Sequence, residues 1–396
     1  MDQFRFEYDP GVIRSGRGCV VDLGDELDRQ GYERALVVCG STVGSTPAVI
    51  DPVRRGLGER LAGVFAETTP EKRLSTAVAA LEAYREHDAD ALVGLGGGSS
   101  LDVAKVTAVL AGAGRDPAAV AAGLTETGTI TVPDDPAPVV AVPTTLAGAD
   151  LSQGAGVTAD PASGLVDSLA SGGLSDPKLM PRAVLADPEL LATTPKSILA
   201  ASAMNGFDKG IETLYAANAT PITDATASRG LGLLADGLLA FEDGSVDAAA
   251  LEPIVVGLLL VQYGIWRPDG TTMSLIHAFG HGLTRTSPIQ QGAAHAVVAP
   301  HVLRYLFERV DARRDLLAES LDVGDVADPA VAIVERVIEV RDALGLPSRL
   351  RDVDGPEPEA FEAVAKRIIG DSFVDNAPPG LEPTVAEIES VLEAAY

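Results

Sequence analysis

Short apolar runs alternate with amphipathic stretches along the first half of the chain. The apolar runs have the length of buried strands, and the amphipathic stretches have the spacing of helices that cover a sheet. The apolar runs are ALVVCG from Ala35, ALVGLGGGSS from Ala91, VVAVPTT from Val139 and the segment 182–186; the amphipathic stretches include 51–65 and 75–87. Strands that alternate with helices favour a parallel sheet with crossover helices. The first half is therefore predicted to be an α/β domain.

The second half has a different pattern, with apolar residues at the 3.6-residue spacing of helices. The segments that show it include TPKSILAASAMN, ATASRGLGLLADGLLAF and PAVAIVERVIEVRDALG. Thr194 followed by Pro195 predicts a helix start, with the threonine as N-cap. We place a domain boundary near residue 185, between an α/β domain (1–185) and an all-helical domain (186–396). We expect the two domains to pack around a cleft.

Charge and hydropathy restrict the classes of function. The chain has 57 acidic and 30 basic residues, a formal net charge of −27, and such a field repels nucleic acid. No apolar run reaches the roughly 18 residues of a membrane span, and the N-terminus lacks the pattern of a signal peptide. We therefore expect a soluble, cytoplasmic protein without nucleic-acid or membrane partners. The two cysteines, Cys19 and Cys39, are expected to be ordinary buried thiols.

The acidic residues are spread over many segments, as expected for a solvated surface. Only six of the 30 basic residues are lysines. This bias resembles that of halophiles that accumulate salt in the cell, and it carries no information about catalysis.

The segment 91–105, ALVGLGGGSSLDVAK, places three glycines between a predicted strand and a predicted helix. Glycines let the backbone approach a phosphate, and the free amides of a helix N-terminus attract its charge. Ser99 or Ser100 is expected to cap the helix. The alternative is a tight strand-to-helix turn without a ligand, because the segment does not follow the GxGxxG pattern.

A second polar segment, VPTTLAGADLS at 142–152, also follows a predicted strand. Open α/β sheets bind ligands at this end of their strands. Thr144 and Thr145 are therefore candidate ligand contacts, or else simple helix caps.

Together, GGGSSLDVAK and PTTLAG resemble the nucleotide-binding half of the iron-containing alcohol dehydrogenases. The resemblance implies a Rossmann-like α/β domain followed by an all-helical domain, the architecture shared with dehydroquinate synthase. It also implies that Gly97, Gly98 and Ser99 hold a pyrophosphate, that Asp102 and Lys105 lie in the cleft, and that Thr144 and Thr145 contact the cofactor. The layout of the second motif is similar to the maleylacetate reductase branch, with Asp150 where that pattern normally has glutamate.

Gly40 bears on the choice of dinucleotide. Members of the family that prefer NAD often carry an aspartate at the end of the second strand, where it binds the ribose hydroxyls and repels a 2′-phosphate. Here Gly40 stands at that position. NADP is therefore admissible beside NAD, although Gly40 could also be a turn residue.

Four of the five histidines, His277, His281, His295 and His301, fall within a short stretch of the second half. His277 and His281 are four residues apart, a spacing that places both on one face of a helix. Such a pair can bind a metal or line a pocket, whereas a single histidine is more often a core or interface residue.

The resemblance implies four metal-ligand positions, and only His277 retains its ligand. Asn205 replaces an aspartate, Lys209 a histidine, and Gln291 the last histidine. This set is unsuited to Fe²⁺ or Zn²⁺, and we predict no catalytic metal. The asparagine and the segment QGAAHAVVAPH agree with the maleylacetate reductase branch, although Lys209 and Gln291 depart from it.

The candidate catalytic residues are Asn205, Lys209, His277 and His281. In this hypothesis the Lys209 ammonium polarises a substrate carbonyl, one of the two histidines donates the proton, and Arg285 holds a substrate carboxylate. The alternative for Lys209 is a surface salt bridge with Asp208 or Glu212.

The resemblance therefore implies an NAD(P)-dependent oxidoreductase that reduces a small carbonyl compound, such as the keto-acid maleylacetate, or oxidises the corresponding alcohol. It also implies a homo-oligomer. The related dehydroquinate synthase and glycerol-1-phosphate dehydrogenase group needs metal ligands that are absent here. The remaining alternative is a dinucleotide-binding protein that has lost its catalytic activity.

Overall fold

The structure is a computed structural model that describes residues 3–114, 116–242, 244, 246–324 and 326–396. The chain forms two compact units. One contains residues 8–194, and the other contains 195–396 together with the residues before Tyr8.

The first unit is an α/β unit built on a parallel sheet. Its strands are β1 Val12–Ser15, β2 Ala35–Gly40, β3 Leu61–Thr68, β4 Ala91–Gly96, β5 Val139–Pro143, β6 Gly154–Ala159, β7 Ala170–Ser175 and β8 Ala183–Ala186. Six of them form one sheet in the order β1-β8-β5-β4-β2-β3, with every pair parallel. The other two, β6 and β7, form a separate antiparallel hairpin.

Helices cover both faces of this sheet. They are α1 Leu23–Gln30, α2 Ser41–Ser45, α3 Pro47–Leu57, α4 Leu74–Glu86, α5 Gly98–Ala111, α6 Pro117–Thr127 and α7 Pro188–Leu191. Alternate residues of a strand point to opposite faces, so β2 contributes Leu36 and Val38 to one core cluster and Val37 and Cys39 to another. Burial on both faces explains why the strands are continuous apolar runs.

The second unit is helical. Its helices are α8 Lys196–Tyr215, α9 Pro221–Leu239, α10 Ala248–Gln262, α11 Leu275–Thr284, α12 Gln291–Arg309, α13 Arg314–Ser320, α14 Pro329–Ala343, α15 Phe361–Ile369 and α16 Val385–Ala395. A two-residue antiparallel pair, β9 Trp266–Arg267 and β10 Gly270–Thr271, departs from the all-helical expectation. The predicted fold class, an α/β unit followed by a helical unit, is confirmed.

Several local expectations differ from the structure. The units divide after Thr194 rather than near residue 185, because β8 and α7 still belong to the α/β unit. Thr194 does not cap α8: its hydroxyl donates to the carbonyl oxygen of Thr144 at 2.7 Å, and Pro195 holds the N-cap position without a side-chain bond. The sequence did not predict β1, β3 or the β6–β7 hairpin. The stretch 51–65, expected to be helical, ends as α3 at Leu57, and its last residues begin strand β3 at Leu61.

Both cysteines are free thiols, as expected. Cys39 is buried, whereas Cys19 is only half-buried. Burial raises the pKa of Cys19 to about 12 and that of Cys39 to about 11. Among the described residues, no helix is both long and apolar enough to span a membrane.

Candidate functional site

The glycine-rich loop joins β4 to α5 at the carboxyl edge of the sheet. Gly96 has a φ of +138°, which favours glycine, and Gly97 is the N-cap of α5. A Cβ added to Gly97 would lie 3.1 Å from Cγ2 of Thr145, and one added to Gly98 would lie 3.6 Å from Cβ of Ala149. The loop therefore packs directly against the second predicted segment, and the first amides of α5 begin beside it.

The serines do not cap α5 as predicted. Gly97 takes the N-cap position without a side-chain bond, and Ser99 lies half-buried in the first helical turn. Ser100 is buried, with its hydroxyl 2.7 Å from that of Thr68. Gly97, Gly98 and Ser99 remain partly accessible, as a phosphate site requires.

The threonine segment leaves β5 at the same edge. The amide of Thr144 donates to the carbonyl oxygen of Gly96 at 3.0 Å, which ties the two loops together. Thr144 is buried, whereas Thr145 is half-buried. Gly40 ends the neighbouring strand β2, and a Cβ there would lie 3.3 Å from the carbonyl oxygen of Thr68. The residues expected at the cofactor thus share one edge of the sheet.

Lys105 and Asp102 lie deeper in the α/β unit than the resemblance implies. Lys105 is fully buried, and its ammonium donates to the carbonyl oxygens of Ala149, Ser152 and Gly154 at 3.1, 2.5 and 3.2 Å. These bonds use its three hydrogens, so we revise its expected contact with a cofactor to a positioning role. It holds the segment after Thr145 against α5.

Asp102 is likewise held by neighbours within the α/β unit. Its Oδ2 atom lies 2.6 Å from Nζ of Lys72 and accepts the amide of Gly156 at 3.1 Å. Only 7% of the residue is exposed. The Lys72–Asp102 ion pair therefore links α5 to β6 and to the chain before α4.

In the helical unit, α8 carries a stripe of polar residues on an otherwise apolar helix. Asn205, Asp208, Lys209 and Glu212 recur at intervals of three and four, which places them on one face. Asp208 and Glu212 are fully buried, and Lys209 is 7% exposed. The surface salt bridge considered for Lys209 is therefore wrong, because the residue is not at the surface.

His277, on α11, is held at both ring nitrogens. Its Nδ1 lies 2.5 Å from Oε2 of Glu212, its Nε2 lies 3.2 Å from Oδ1 of Asn205, and its backbone amide donates to Oε1 of Glu212 at 3.0 Å. Burial raises the pKa of Glu212 to about 7, against the lowering effect of the His277 amide and the His295 ring. Burial, then His295 and Lys209, hold the pKa of His277 well below its usual range, so its ring is neutral at neutral pH.

His295, on α12, packs against His277 with ring centroids 4.5 Å apart. Burial lowers its pKa to about 3. Its Nδ1 lies 3.1 Å from Oδ2 of Asp208, within ion-pair distance, although the orientation makes no hydrogen bond. Burial, then Glu212, raises the pKa of Asp208 well above its usual range, so we treat this as a contact between two neutral groups rather than as a salt bridge.

His281 lies one helical turn after His277 and has different partners. Its Nδ1 lies 2.9 Å from Oδ2 of Asp371, whose other oxygen accepts the amide of Phe373 at 3.1 Å. Burial raises the pKa of Asp371, but its bond to His281, the His281 charge and the Phe373 amide outweigh it, so the net shift is downward. Arg285, the predicted carboxylate clamp, ends α11 and lies 3.5 Å from Asp371.

The phenyl ring of Phe373 also lies beside His281, with centroids 5.0 Å apart. The His281 side chain is 28% exposed, compared with 3% for His277. His281 is therefore the more accessible of the two for proton transfer.

The structure brings Asn205, Lys209 and His277 together, since the Lys209 charge acts on both buried histidines. Gln291 begins α12 and is half-buried. Within the described ranges, no group of three or more histidine, cysteine, aspartate and glutamate side chains is arranged to hold a metal ion. His301 does not join the cluster; it lines a separate cavity on α12.

The sequence analysis did not name as site residues three carboxylates that lie beside the candidate histidines: Asp208, Glu212 and Asp371. The first two had a signal, because acidic residues on the Asn205 face of an apolar helix are rarely buried without a role. Asp371 had no such signal in the sequence, because it lies 90 residues after His281.

Comparison with protein families gives two matches that together span most of the chain. The model described as Iron-containing alcohol dehydrogenase matches residues 10–188, and the model described as Fe-containing alcohol dehydrogenase family, C-terminal, matches 199–396.

Curated relatives cover nearly the full length of the chain. Maleylacetate reductase 1 of Cupriavidus pinatubonensis is 25% identical over 385 residues, 96% of this chain and 94% of the relative. The 4-hydroxybutyrate dehydrogenase of Cupriavidus necator is 30% identical over 374 residues, 91% of each chain. Among solved structures, the maleylacetate reductase of Rhizobium sp. strain MTP-10005 has a TM-score of 0.80 at 25% identity, covering 100% of this chain and 99% of that one.

Proposed function

We propose that this chain, which belongs to the iron-containing alcohol dehydrogenase family and is an oxidoreductase, reduces a small carbonyl compound with NAD(P)H and without a metal ion. One observation carries the proposal. The metal-ligand positions of the family hold a buried lysine, an asparagine and a histidine whose Nδ1 lies against Glu212, next to a second, accessible histidine bonded to a carboxylate.

The glycine loop fits a dinucleotide. Gly97 and Gly98 leave the space of their missing side chains beside Thr145 and Ala149, at the N-terminus of α5. That arrangement suits a pyrophosphate, because backbone amides and the helix dipole both favour negative charge there. When bound, the nicotinamide would supply the hydride. We propose either NADP or NAD, since Gly40 brings no carboxylate to repel a 2′-phosphate.

The residues of the helical unit, in contrast, do not fit a metal ion. Asn205 and Lys209 stand at two of the family's ligand positions, and the cationic Lys209 acts on the ring of His277. An ammonium group has no lone pair to donate and repels Fe²⁺ or Zn²⁺. The residues present do not fit the family's metal, and we derive no step through one.

Lys209 would instead provide the positive charge at the carbonyl oxygen. An ammonium with little access to water stabilises a developing alkoxide strongly, because the local dielectric constant is low. Asn205, which lies against His277, would orient the substrate oxygen by its amide.

His281 is our choice for the proton donor. The Asp371 carboxylate holds Nδ1 of His281, which leaves Nε2 to exchange a proton with the alkoxide. His277 is less suited, because burial keeps its ring neutral and its Nδ1 lies against Glu212. Asp371 thus acts as a positioning residue.

For the substrate we propose a keto-acid of the maleylacetate type. Support comes from several curated relatives that are maleylacetate reductases, and from the sequence layout shared with that branch. Arg285 could bind a substrate carboxylate, although Asp371 at 3.5 Å partly neutralises it. Alcohol oxidation is the reverse of the same reaction.

The test is oxidation of NADPH and NADH by chelator-treated protein in molar KCl, with maleylacetate, other keto-acids and simple aldehydes as substrates. We expect turnover after chelation, and no further increase on addition of Fe²⁺ or Zn²⁺. Activity that returns only with a metal would overturn the metal-free mechanism. Binding of NADPH without turnover of any carbonyl would instead indicate a dinucleotide-binding protein that has lost catalysis.

A further inference from the structure

A cavity of about 450 Å³ lies on the helical unit, at the junction of α12, α14 and α16. Its lining residues all come from the segment 300–396, so it is formed without the α/β unit. The volume lies within the range of small-molecule sites, roughly 300 to 1,000 Å³.

Basic side chains dominate the lining. The basic and hydrogen-bonding residues are Arg304, Arg341, Arg349, Arg351, His301, Ser348 and Tyr396. In a chain with 57 acidic and 30 basic residues, four guanidinium groups around one concavity depart sharply from the mean charge of the molecule. The cavity is therefore a local positive site on an acidic protein.

Most of this positive charge is not neutralised by the chain. Across the part of the chain that the structure describes, the side chains of Arg304, Arg349 and Arg351 make no hydrogen bond or salt bridge. Arg341 is buried and is held by Asp342, which accepts from its Nε at 2.8 Å and its Nη2 at 2.7 Å. Asp342 at Arg341 and Glu357 at Tyr396 are thus two carboxylates beside four guanidinium groups.

The excess of positive charge in the cavity also acts on His301. Burial and, to a smaller extent, the charges of Arg304 and Arg341 together lower the pKa of His301 to about 4. The ring is neutral at pH 7 and keeps one N–H to donate. Ser348 and Tyr396 are the other polar groups, and the Tyr396 hydroxyl donates to Glu357 at 2.7 Å.

We propose that this cavity binds a small organic phosphate with two or more negative charges. Guanidinium groups recognise phosphate by paired hydrogen bonds, and several of them are needed to match a multiply charged anion. Ile338 and Ala394 add an apolar wall for the organic part. A concave site of this size favours a small molecule over an acidic protein surface, which would bind to a broader and flatter area.

Isothermal titration of the full-length protein with pyrophosphate, at constant ionic strength, tests the proposal. We expect saturable binding. The dissociation constant should be about tenfold or more higher in an Arg349→Gln/Arg351→Gln variant and in Arg304→Gln. Arg85→Gln is the matched control, because Arg85 is also exposed and unpaired but lies on α4 in the other unit. Circular dichroism of each variant checks that the fold is kept, which we expect for exposed arginines.

The design separates this cavity from the glycine loop, which could also bind pyrophosphate. Binding at the loop would survive in the double variant, whereas binding at the cavity would be lost in that variant. The proposal is overturned if pyrophosphate does not bind, or if it binds the double variant and the Arg85→Gln control equally. A change of oligomeric state in the double variant without pyrophosphate binding would identify the surface as an interface between copies and would also overturn it.

Discussion

Lys209 is the residue on which the proposed chemistry depends most. We predict that Lys209→Met lowers kcat by about 100-fold or more, because methionine keeps the length of the side chain and removes the charge that stabilises the alkoxide. Lys209→Arg is the control, since it keeps a positive charge, and it should retain more activity than the methionine variant. Steady-state kinetics with a keto-acid and NADPH measure the effect. A loss of less than about threefold in Lys209→Met would exclude Lys209 from the mechanism.

Asp371 should affect the rate through His281. We expect Asp371→Asn to lower kcat by about tenfold or more while KM changes little, because the ring loses the carboxylate that orients it. The solvent deuterium isotope effect on kcat should increase, since proton transfer becomes slower. Asp375→Asn serves as the control, because Asp375 is exposed on the same segment. Equal kinetics in the two variants would remove Asp371 from the site.

The burial of Lys105 leads us to predict that the stability of the protein depends on pH. Burial lowers the pKa of Lys105 from 10.5 to about 8. Between these two values the unfolded chain binds the proton more tightly than the folded chain, so folding becomes more favourable as the pH rises. Relative to Lys105→Met, the wild-type free energy of unfolding should therefore increase by about 3 kcal/mol between pH 8 and 10.5. Urea titrations of both proteins over this range measure the difference, and parallel curves would contradict the assignment.

At the scale of elements, the contact between α11 and α12 depends on Gly280. A Cβ at this position would lie 2.2 Å from Nε2 of His295, which is closer than a real contact allows. We expect Gly280→Ala to destabilise the protein by about 1 to 3 kcal/mol, because the His295 ring is fully buried and has no room to move.

Gly123→Ala in α6 is the matched control for that substitution. A Cβ there meets nothing within 4 Å, so the exchange should stabilise the protein by about 0.5 to 1 kcal/mol through helix propensity. Denaturant titrations should thus give changes of opposite sign. Changes of the same sign would mean that the Gly280 site is more adaptable than its geometry indicates.

At the scale of the whole molecule, the net charge of −27 predicts a requirement for salt. Repulsion among acidic groups opposes the compact state, and ions screen it within a Debye length of about 10 Å at 0.1 M. We expect Tm to rise steadily when KCl increases from about 0.1 to 2 M. Sorbitol at matched osmolality is the control and should have a smaller effect. A Tm that does not change with KCl would show that the surface charge is already balanced locally.

The sequence was sufficient to predict the parallel sheet, the helical second half and the two polar loops that follow strands β4 and β5. These features follow from local patterns: apolar runs of strand length, helical periodicity, and glycines between a strand and a helix. Spacing and the resemblance to the family also suggested Asn205, Lys209, His277 and His281 as candidate site residues, and their catalytic roles stay a prediction. Each of these predictions depends on residues that are close in sequence.

Features that are made by distant segments could be found only in the folded structure. Strand β1 pairs with β8 about 170 residues later, and Asp371 reaches His281 across 90 residues. The positioning role of Lys105 also follows from burial, because its three acceptors belong to a loop about 45 residues away. Burial and charge neighbours set the protonation of Glu212 and His277, and both arise only when α8, α11 and α12 pack together. Local patterns specify which elements form, whereas desolvation and long-range contacts specify what their polar groups can do.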